Sequence, residues 1–208
     1  KTWQGDAPAG EMAVRNDTGV YEGGEISMYY DPMIAKLCTW APTRDAAIEA
    51  MRVALDRFEV EGIGHNLPFL AAVMDHPIFI KGDMTTAFIE EQYPDGFEGV
   101  ALSEDALRRI AAATAAMHRV AEIRRTRVSG RMDNHERRVG SDWNVAVQGH
   151  DFDVVITADK EGSTVAFKDG GTLRVSGSWT PGDQLAEMTV DEAPLVMKVG
   201  KISGGFRI

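Results

Sequence analysis

The sequence predicts an α+β protein whose second half is an antiparallel β-barrel wrapped around a long central helix. Three observations predict this fold. The first hundred residues mix strand-like and helix-like segments, and residues 103–127 form one alanine-rich helical segment. Residues 143–208 contain short runs of alternating apolar and polar residues, separated by turn signals every ~8–12 residues. We therefore expect two parts of different architecture that meet near residue 100.

The composition narrows the class of protein. Its 208 residues, 44% apolar and 26% charged, are typical of a globular protein with a core of its own. The net charge of -10 repels phosphate, which argues against a nucleic-acid partner. No apolar run approaches the ~20 residues of a membrane span. Cys38 has no second cysteine to pair with, which indicates a reducing compartment. Because the first residue is Lys1 rather than Met, we expect an internal piece of a longer polypeptide.

The first part of the chain predicts short strands followed by helices. We expect strands at Val14–Asp17, Ile26–Tyr30 and Met33–Trp40, with Pro32 at the corner between the last two. A helix should begin after Thr43, which can cap it, because apolar residues follow at helical spacing. A second helix should begin after Asn66 and stop at His76-Pro77, and a third should cover Thr85–Glu91.

The second part predicts a buried helix inside a sheet. Ser103 can cap the long helix, and alanines occupy several faces of its middle, so we expect burial on all sides there. Seven strand-like runs follow between residues 143 and 208. A closed barrel would leave no exposed sheet edge. Since the residues Phe206–Ile208 still read as a strand, we expect at least one closing strand to be missing.

Few residues suggest chemistry. None of the five histidines has metal-ligand spacing, so we expect no metal site. Asp31 lies at a proline corner, where its carboxylate could face a pocket or simply cap the turn. Lys36 lies in an apolar strand, where it could pair with an acid or keep its charged end in water. Residues 124–143 are strongly basic, which suits either a solvated linker or a docking loop for an acidic partner.

The segment VRNDTGVYEGGEISMYYDPMIAKL, followed by RDAAIEAMRVAL and GIGHNLPFL, resembles the C-terminal part of biotin carboxylase domains. YYDPMIAKL is a specific phrase of that family. KGD followed by YPDGF resembles the α subunits of propionyl-CoA carboxylases rather than acetyl-CoA or pyruvate carboxylases. The resemblance implies a biotin carboxylase segment over residues 1–99. It also implies a biotin-transfer domain over residues 100–208, with its helix at 103–127 and barrel strands at 143–208.

The resemblance also implies an activity. Members of the family are ligases that carboxylate biotin with ATP, Mg²⁺ and bicarbonate. The carboxyl group then passes to propionyl-CoA on a carboxyltransferase β subunit. The implied partners are that β subunit, a biotinyl carrier domain and an ATP-grasp segment of the same chain, in an α6β6 assembly. The family's main catalytic residues lie upstream of the matching region and its biotinylated lysine lies downstream, so we expect this fragment alone to be inactive.

The resemblance assigns roles to a few residues. Asp31 matches a position lining the biotin end of the carboxylase site, and Thr86 a position that touches adenine. Arg15 matches a residue at the dimer interface of free-standing biotin carboxylases. The basic loop corresponds to a hook that contacts the β subunit. We define residues 131–136 as the docking segment; its members are Arg131, Met132, Asp133, Asn134, His135 and Glu136.

Two alternatives remain open at this point. The fragment could be a non-catalytic protein-interaction module, or its parent could be a 3-methylcrotonyl-CoA carboxylase, which YPDGF disfavours. The resemblance places the parent enzyme in the cytoplasm if the source is bacterial and in the mitochondrial matrix if it is eukaryotic.

Overall fold

A computed structural model of the chain describes residues 12–27, 29, 33–127 and 138–208. The chain divides into two compact units, Lys1–Val100 and Ala101–Ile208, which we call unit 1 and unit 2. The predicted Asp31 corner and the docking segment both lie outside the described residues.

The described residues of unit 1 form a two-stranded ribbon and four helices. Strand β1 (Ala13–Thr18) pairs antiparallel with β2 (Ala35–Trp40), and Ala13 lies opposite Trp40. The helices are α1 (Arg44–Arg57), α2 (Leu67–Asp75), α3 (Pro77–Lys81) and α4 (Phe88–Gln92). The strand predicted at Val14–Asp17 and the helix predicted after Thr43 are confirmed, and the Thr43 side chain accepts a hydrogen bond from the Ala46 amide at 3.2 Å.

Several elements of unit 1 differ from the prediction, and β2 begins at Ala35 rather than at the predicted Met33. The strand expected at Ile26–Tyr30 is absent at the described positions 26, 27 and 29, because Ser27 Oγ accepts a hydrogen bond from the Tyr29 amide at 3.3 Å and bends the chain. The helix α2 ends before Pro77 as predicted, but α3 begins directly at Pro77. Proline suits this first helical position, where its missing N–H is not needed.

The last helix of unit 1 also begins later than predicted. Thr85 Oγ1 accepts a hydrogen bond from the Ala87 amide at 3.2 Å, and this turn delays the start of α4 to Phe88. Aromatic rings then pack α2, α3 and α4 together. The Phe69 ring meets Tyr93 at 5.2 Å between centroids and His76 meets Phe88 at 5.0 Å, both edge to face.

Unit 2 begins with the predicted long helix. Helix α5 (Glu104–Thr126) is capped by Ser103, whose side chain accepts a hydrogen bond from the Ala106 amide at 3.2 Å. Every residue from 106 to 119 is buried or half-buried, which confirms the burial predicted for the middle of the helix. The alanines that make this possible are Ala111, Ala112, Ala113, Ala115 and Ala116. Their small side chains let the surrounding strands approach the helix closely.

Six of the described strands of unit 2 form one antiparallel sheet in sequence order. They are β3 (Asp142–Val147), β4 (His150–Ala158), β5 (Ser163–Phe167), β6 (Thr172–Gly177), β7 (Leu185–Val190) and β8 (Ala193–Lys198). Alternate residues are buried, as Val154 and Ile156 are in β4, and this face packs on α5. A hairpin of β9 (Gly200–Ile202) and β10 (Gly205–Arg207) follows.

The core of unit 2 joins the helix to that sheet. His118 on α5 lies edge to face with Trp143 of β3 at 5.2 Å and with Phe206 of β10 at 5.9 Å. Among the described strands, β3 and β8 lie at the two edges of the sheet and do not pair with each other. The predicted mixture of helices with an antiparallel sheet is therefore confirmed, while closure into a barrel around α5 stays a prediction.

Candidate functional site

The Thr86 site predicted from the sequence lies in the turn that precedes α4. Thr86 is exposed, and its hydroxyl makes no hydrogen bond within the part of the chain that the structure describes. The neighbouring Thr85 hydroxyl holds the turn by binding the Ala87 amide. Thr86 is therefore on the surface with its polar group available to a ligand.

The ribbon next to the Asp31 corner has a charged face. Arg15 lies opposite Cys38 and Asp17 lies opposite Lys36, so all four side chains share one side of the ribbon. Arg15 Nε lies 2.9 Å from Asp17 Oδ1, and Arg15 Nη2 donates to Cys38 Sγ at 3.9 Å. Lys36 is exposed, which favours the interpretation that its charged end is in water.

Two contacts fasten the helices behind this ribbon. Thr39 Oγ1 of β2 donates to the Ala47 carbonyl of α1 at 2.9 Å. Arg52 of α1 lies 2.6 Å from Asp75 Oδ1 and donates to the Met74 carbonyl at 3.1 Å, which ties α1 to the end of α2. The ribbon therefore rests on a braced pair of helices.

Aromatic and apolar side chains beside the Asp31 corner are exposed. Tyr29 is 90% exposed and Met33 is 56% exposed, and Tyr21 is 81% exposed on the same connection between β1 and β2. These side chains therefore have little packing within the described part of unit 1.

In unit 2, an arginine ties the first turns of α5 to the sheet. Arg108 donates two hydrogen bonds of 2.8 Å to Asp169, and its guanidinium lies 4.4 Å from the centre of the Phe167 ring. It also donates to the Gly170 carbonyl. The hydrogen bonds from Arg108 hold the pKa of the Asp169 carboxyl below its usual value. On the next residue, Arg109 Nη2 donates to the Ala193 carbonyl at 3.2 Å.

The last turns of α5 are fastened in a similar way. Arg124 Nη1 donates to the Pro181 carbonyl in the β6–β7 loop at 3.2 Å. That loop is itself ordered: Asp183 Oδ2 accepts from the Thr180 amide at 2.9 Å, and Trp179 Nε1 donates to the Asp183 carbonyl at 3.0 Å. Glu122, which is buried, pairs with Arg125. The end of α5 that precedes the docking segment in sequence is therefore held in a fixed position on the sheet.

A second bidentate pair closes the β4–β5 hairpin. Arg174 of β6 donates to the two carboxylate oxygens of Asp159 at 2.6 and 2.8 Å. This pairing, with help from the Glu161 amide, holds the pKa of Asp159 far below its usual value.

Sequence reasoning missed both arginine–aspartate pairs. The sequence pattern indicated a turn at Asp169 and gave no role to Asp159, and the partners of these two residues are 61 and 15 residues away in sequence. Nothing local indicates such partners. The one available signal was the placement of Arg108 four residues after Glu104 on one face of the helix, which marks a charged helix edge.

The residues that the structure describes contain no group of three or more His, Cys, Asp or Glu side chains able to hold a metal ion. None of their helices combines the length and apolar character needed to cross a membrane.

Comparison with known proteins gives the following matches. Residues 4–91 match the family described as the biotin carboxylase C-terminal domain, and residues 110–208 match the propionyl-coenzyme A carboxylase BT domain. The chain is 80% identical over 206 residues to the propionyl-CoA carboxylase alpha chain of Ruegeria pomeroyi, covering 99% of this chain and 30% of that one. It is 34% identical over 184 residues to the mitochondrial propionyl-CoA carboxylase alpha chain of Mus musculus, covering 86% and 25%.

Among solved structures, the biotin carboxylase domain of a thermophilic 2-oxoglutarate carboxylase, bound to bicarbonate, is 38% identical. That match has a TM-score of 0.37 and covers 40% of this chain and 19% of the other. The chain thus spans less than a third of the length of the curated relatives given above. Residues 4–91 belong to the biotin carboxylase C-terminal domain family, and residues 110–208 belong to the propionyl-CoA carboxylase BT domain family.

Proposed function

We propose that this chain is a segment of the α subunit of a propionyl-CoA carboxylase. The parent enzyme carboxylates biotin with ATP, Mg²⁺ and bicarbonate and transfers the carboxyl group to propionyl-CoA, giving methylmalonyl-CoA. The observation that carries this proposal is the 80% identity to a propionyl-CoA carboxylase alpha chain across 99% of the chain. The match of residues 110–208 to a domain family specific to that enzyme supports the choice of propionyl-CoA over 3-methylcrotonyl-CoA.

Unit 1 would supply one wall of the biotin carboxylase site. Its exposed Tyr29 and Met33 flank Asp31, and its helices are braced behind the ribbon, as a rigid wall facing other parts of the enzyme requires. The Asp31 carboxylate would stabilise a positively charged catalytic group where water is excluded. Thr86, with its hydroxyl free on the surface, fits a place beside the adenine of ATP. When bound, ATP with Mg²⁺ activates bicarbonate for its reaction with biotin.

Unit 2 would dock the α subunit on the carboxyltransferase β subunit. Helix α5 is tied to the sheet at both ends, which supports a rigid platform for the docking segment, residues 131–136. The burial of the middle of α5 supports the proposal that the sheet closes into a barrel around it. We place the boundary between the two domains between residues 99 and 100. The rest of the α subunit would contain the biotin carrier and ATP-grasp segments. The α and β subunits would form an α6β6 assembly. The enzyme would act in the cytoplasm of a bacterium or in the mitochondrial matrix of a eukaryote.

The active-site proposal is tested in the full-length α subunit. The substitution Asp31→Asn should slow ATP-dependent carboxylation of free biotin by at least about tenfold, because it removes a charge from a site of low dielectric. Glu25→Gln is the matched control, since it removes one exposed negative charge six residues away. Equal rates for Asp31→Asn and wild type would refute the role of Asp31.

The docking proposal has a separate test. Met132→Asp combined with Arg131→Glu should weaken association of the α subunit with the β subunit by at least about tenfold. Lys81→Glu, an exposed charge reversal in unit 1, serves as the control.

The reconstituted enzyme should carboxylate propionyl-CoA faster than 3-methylcrotonyl-CoA. The 208-residue chain alone should show no bicarbonate-dependent cleavage of ATP, and if full-length protein also shows none, the non-catalytic interaction module is the better assignment.

A further inference from the structure

Unit 2 contains a cleft that the proposed docking segment does not account for. It lies between the C-terminal half of α5 and the β4–β5 hairpin and has a volume of about 290 Å³. Its floor is apolar and is formed by Met117, Trp179 and Met188, all of which are buried. We call it the α5 cleft.

The cleft lies where β5 ends and β6 continues. The pairing of β5 with β6 ends at Ser163 opposite Val175, whereas β6 continues to Gly177 and pairs there only with β7. At the hairpin, a Cβ atom added to Gly162 would lie 2.3 Å from the Val175 carbonyl oxygen, so only glycine permits this close approach. The Asp159–Arg174 pair then holds the hairpin in place. The cleft is thus a built feature of the fold with fixed walls.

The rim of the cleft carries two cations that form no ion pair within the described part of the chain. Asp159 is already paired with Arg174. Arg119 and Lys160 line the rim, and within the described part of the chain neither takes part in an ion pair or hydrogen bond. Glu161 is the remaining charge there and is exposed. In a chain of net charge -10, two unpaired cations above an apolar floor fit a group that is apolar and negatively charged.

The position of the cleft indicates which partner supplies this group. Trp179 of the cleft floor belongs to the β6–β7 loop, and Arg124 fastens the last turn of α5 to the same loop through Pro181. The cleft therefore lies beside the C-terminal end of α5. A partner that contacts the chain where α5 ends would lie beside the cleft as well.

We propose that the α5 cleft receives an apolar side chain of the carboxyltransferase β subunit, with an acidic group of the same segment between Arg119 and Lys160. This inference rests on the proposed function, because it adds a second point of contact to the proposed docking of the two subunits. An apolar anchor in a preformed pocket, surrounded by polar groups, is the usual form of a strong contact between proteins.

The test uses the full-length α subunit and its β subunit. Val120, which is 43% exposed at the cleft mouth, can be replaced by tryptophan without disturbing the core. Val120→Trp should obstruct the mouth and raise the Kd for the β subunit by at least about tenfold. Lys160→Glu should also weaken binding, and its effect should shrink at high salt because the charges at the rim are exposed.

The matched control is Lys201→Glu, the same charge reversal at an exposed residue of the β9–β10 hairpin, which should leave the Kd unchanged. Wild-type affinity in both Val120→Trp and Lys160→Glu would overturn the cleft proposal while leaving docking through residues 131–136 intact. Failure of the wild-type α subunit to bind the β subunit would overturn both proposals.

Other occupants give different results. A change in self-association of the α subunit, with no change in the Kd for the β subunit, would assign the cleft to a second copy and overturn the proposal. The proposal would also be overturned if Val120→Trp abolished binding of propionyl-CoA to the isolated α subunit but left binding of the β subunit unchanged. The cleft would then be a site for the acyl-CoA. Lys160 lies at an exposed hairpin tip, so Lys160→Glu keeps the test valid if Val120→Trp lowers the melting temperature.

Discussion

The two units differ in where their apolar side chains lie. In unit 2, one cluster of buried residues joins α5 to the sheet, and the middle of that helix has no exposed residue. In unit 1, the ribbon and helices enclose a small set of buried residues, while Tyr21 and Tyr29 are more than four-fifths exposed. Unit 2 therefore contains both sides of its own core, whereas unit 1 presents apolar surface to the outside.

This difference teaches that the two units have different sources of stability. A core enclosed by its own helix and strands gains most of the available hydrophobic free energy within the unit. A unit whose large aromatic side chains are exposed gains part of that free energy only when another surface covers them. We therefore expect unit 2 to be the more resistant of the two to local unfolding.

The largest expected effect comes from removing a core methionine. Met117 of α5 is 1% exposed, and Met117→Ala should lower the free energy of unfolding of unit 2 by ~2–5 kcal/mol, because it leaves a cavity in a closely packed core. Met51→Ala in α1, which is half-buried, should cost unit 1 clearly less. Hydrogen exchange measured by mass spectrometry reports each unit separately. Equal losses would show that unit 1 is as closely packed as unit 2.

Enlarging an alanine should produce the next effect. Ala113 of α5 is fully buried, so Ala113→Leu should destabilise unit 2 by ~1–3 kcal/mol, because the strands around the helix have no room for the added atoms. Ala54→Leu makes the same change at a half-buried position of α1, where the new side chain can reach solvent, and should change unit 1 little. Denaturant titration of each variant provides the measurement. A neutral Ala113→Leu would mean that the strands yield easily around α5.

How far the sequence predicts this fold depends on how local the signal is. Ser103 and the alanines that follow predicted α5 to within a residue, since capping and burial patterns are properties of neighbouring residues. The alternating runs predicted the strands of the sheet for the same reason. The strand expected near Ile26 failed because a single serine hydroxyl redirects the backbone there, and apolar pattern carries no information about that competition.

The candidate site was less predictable. Asp31 and the docking segment were named through resemblance to a family, and both lie outside the described residues. The α5 cleft was not predicted at all. It depends on where the pairing of β5 with β6 ends and on the pairing of Asp159 with Arg174, which are contacts between residues distant in sequence. Such contacts are fixed by the register of the sheet, and the hydrophobic pattern of one strand does not specify its partner's charges.

The two helix caps should contribute less to stability than the core residues, and the contribution should be of similar size at both caps. Thr43 and Ser103 each accept a hydrogen bond of 3.2 Å from the amide three residues later, at the starts of α1 and α5. Thr43→Ala and Ser103→Ala should each cost about 1 kcal/mol, because a cap acts on its own first turn whatever the core beyond it. Thermal unfolding measures both. A much larger loss for Ser103→Ala would show that the cap of α5 is coupled to the core of unit 2.

The smallest expected effect is the pH dependence of the Arg108–Asp169 pair, which solvent screens because Asp169 is exposed. The pKa of Asp169 is lower in the folded protein than the ordinary value of 3.8, mainly through the hydrogen bonds from Arg108. Its stabilising contribution is therefore complete above pH 3.8 and is lost as the pH falls through the lower, folded pKa. Asp169→Asn should destabilise unit 2 at neutral pH, and its difference from wild type should vanish in acid.

Asp151→Asn, an exposed acid on the same sheet with no ion pair in the described part of the chain, should show no such convergence. Urea titrations across this pH range decide the matter: a difference between Asp169→Asn and wild type that stays constant into acid would mean that the pair acts through shape and not through charge.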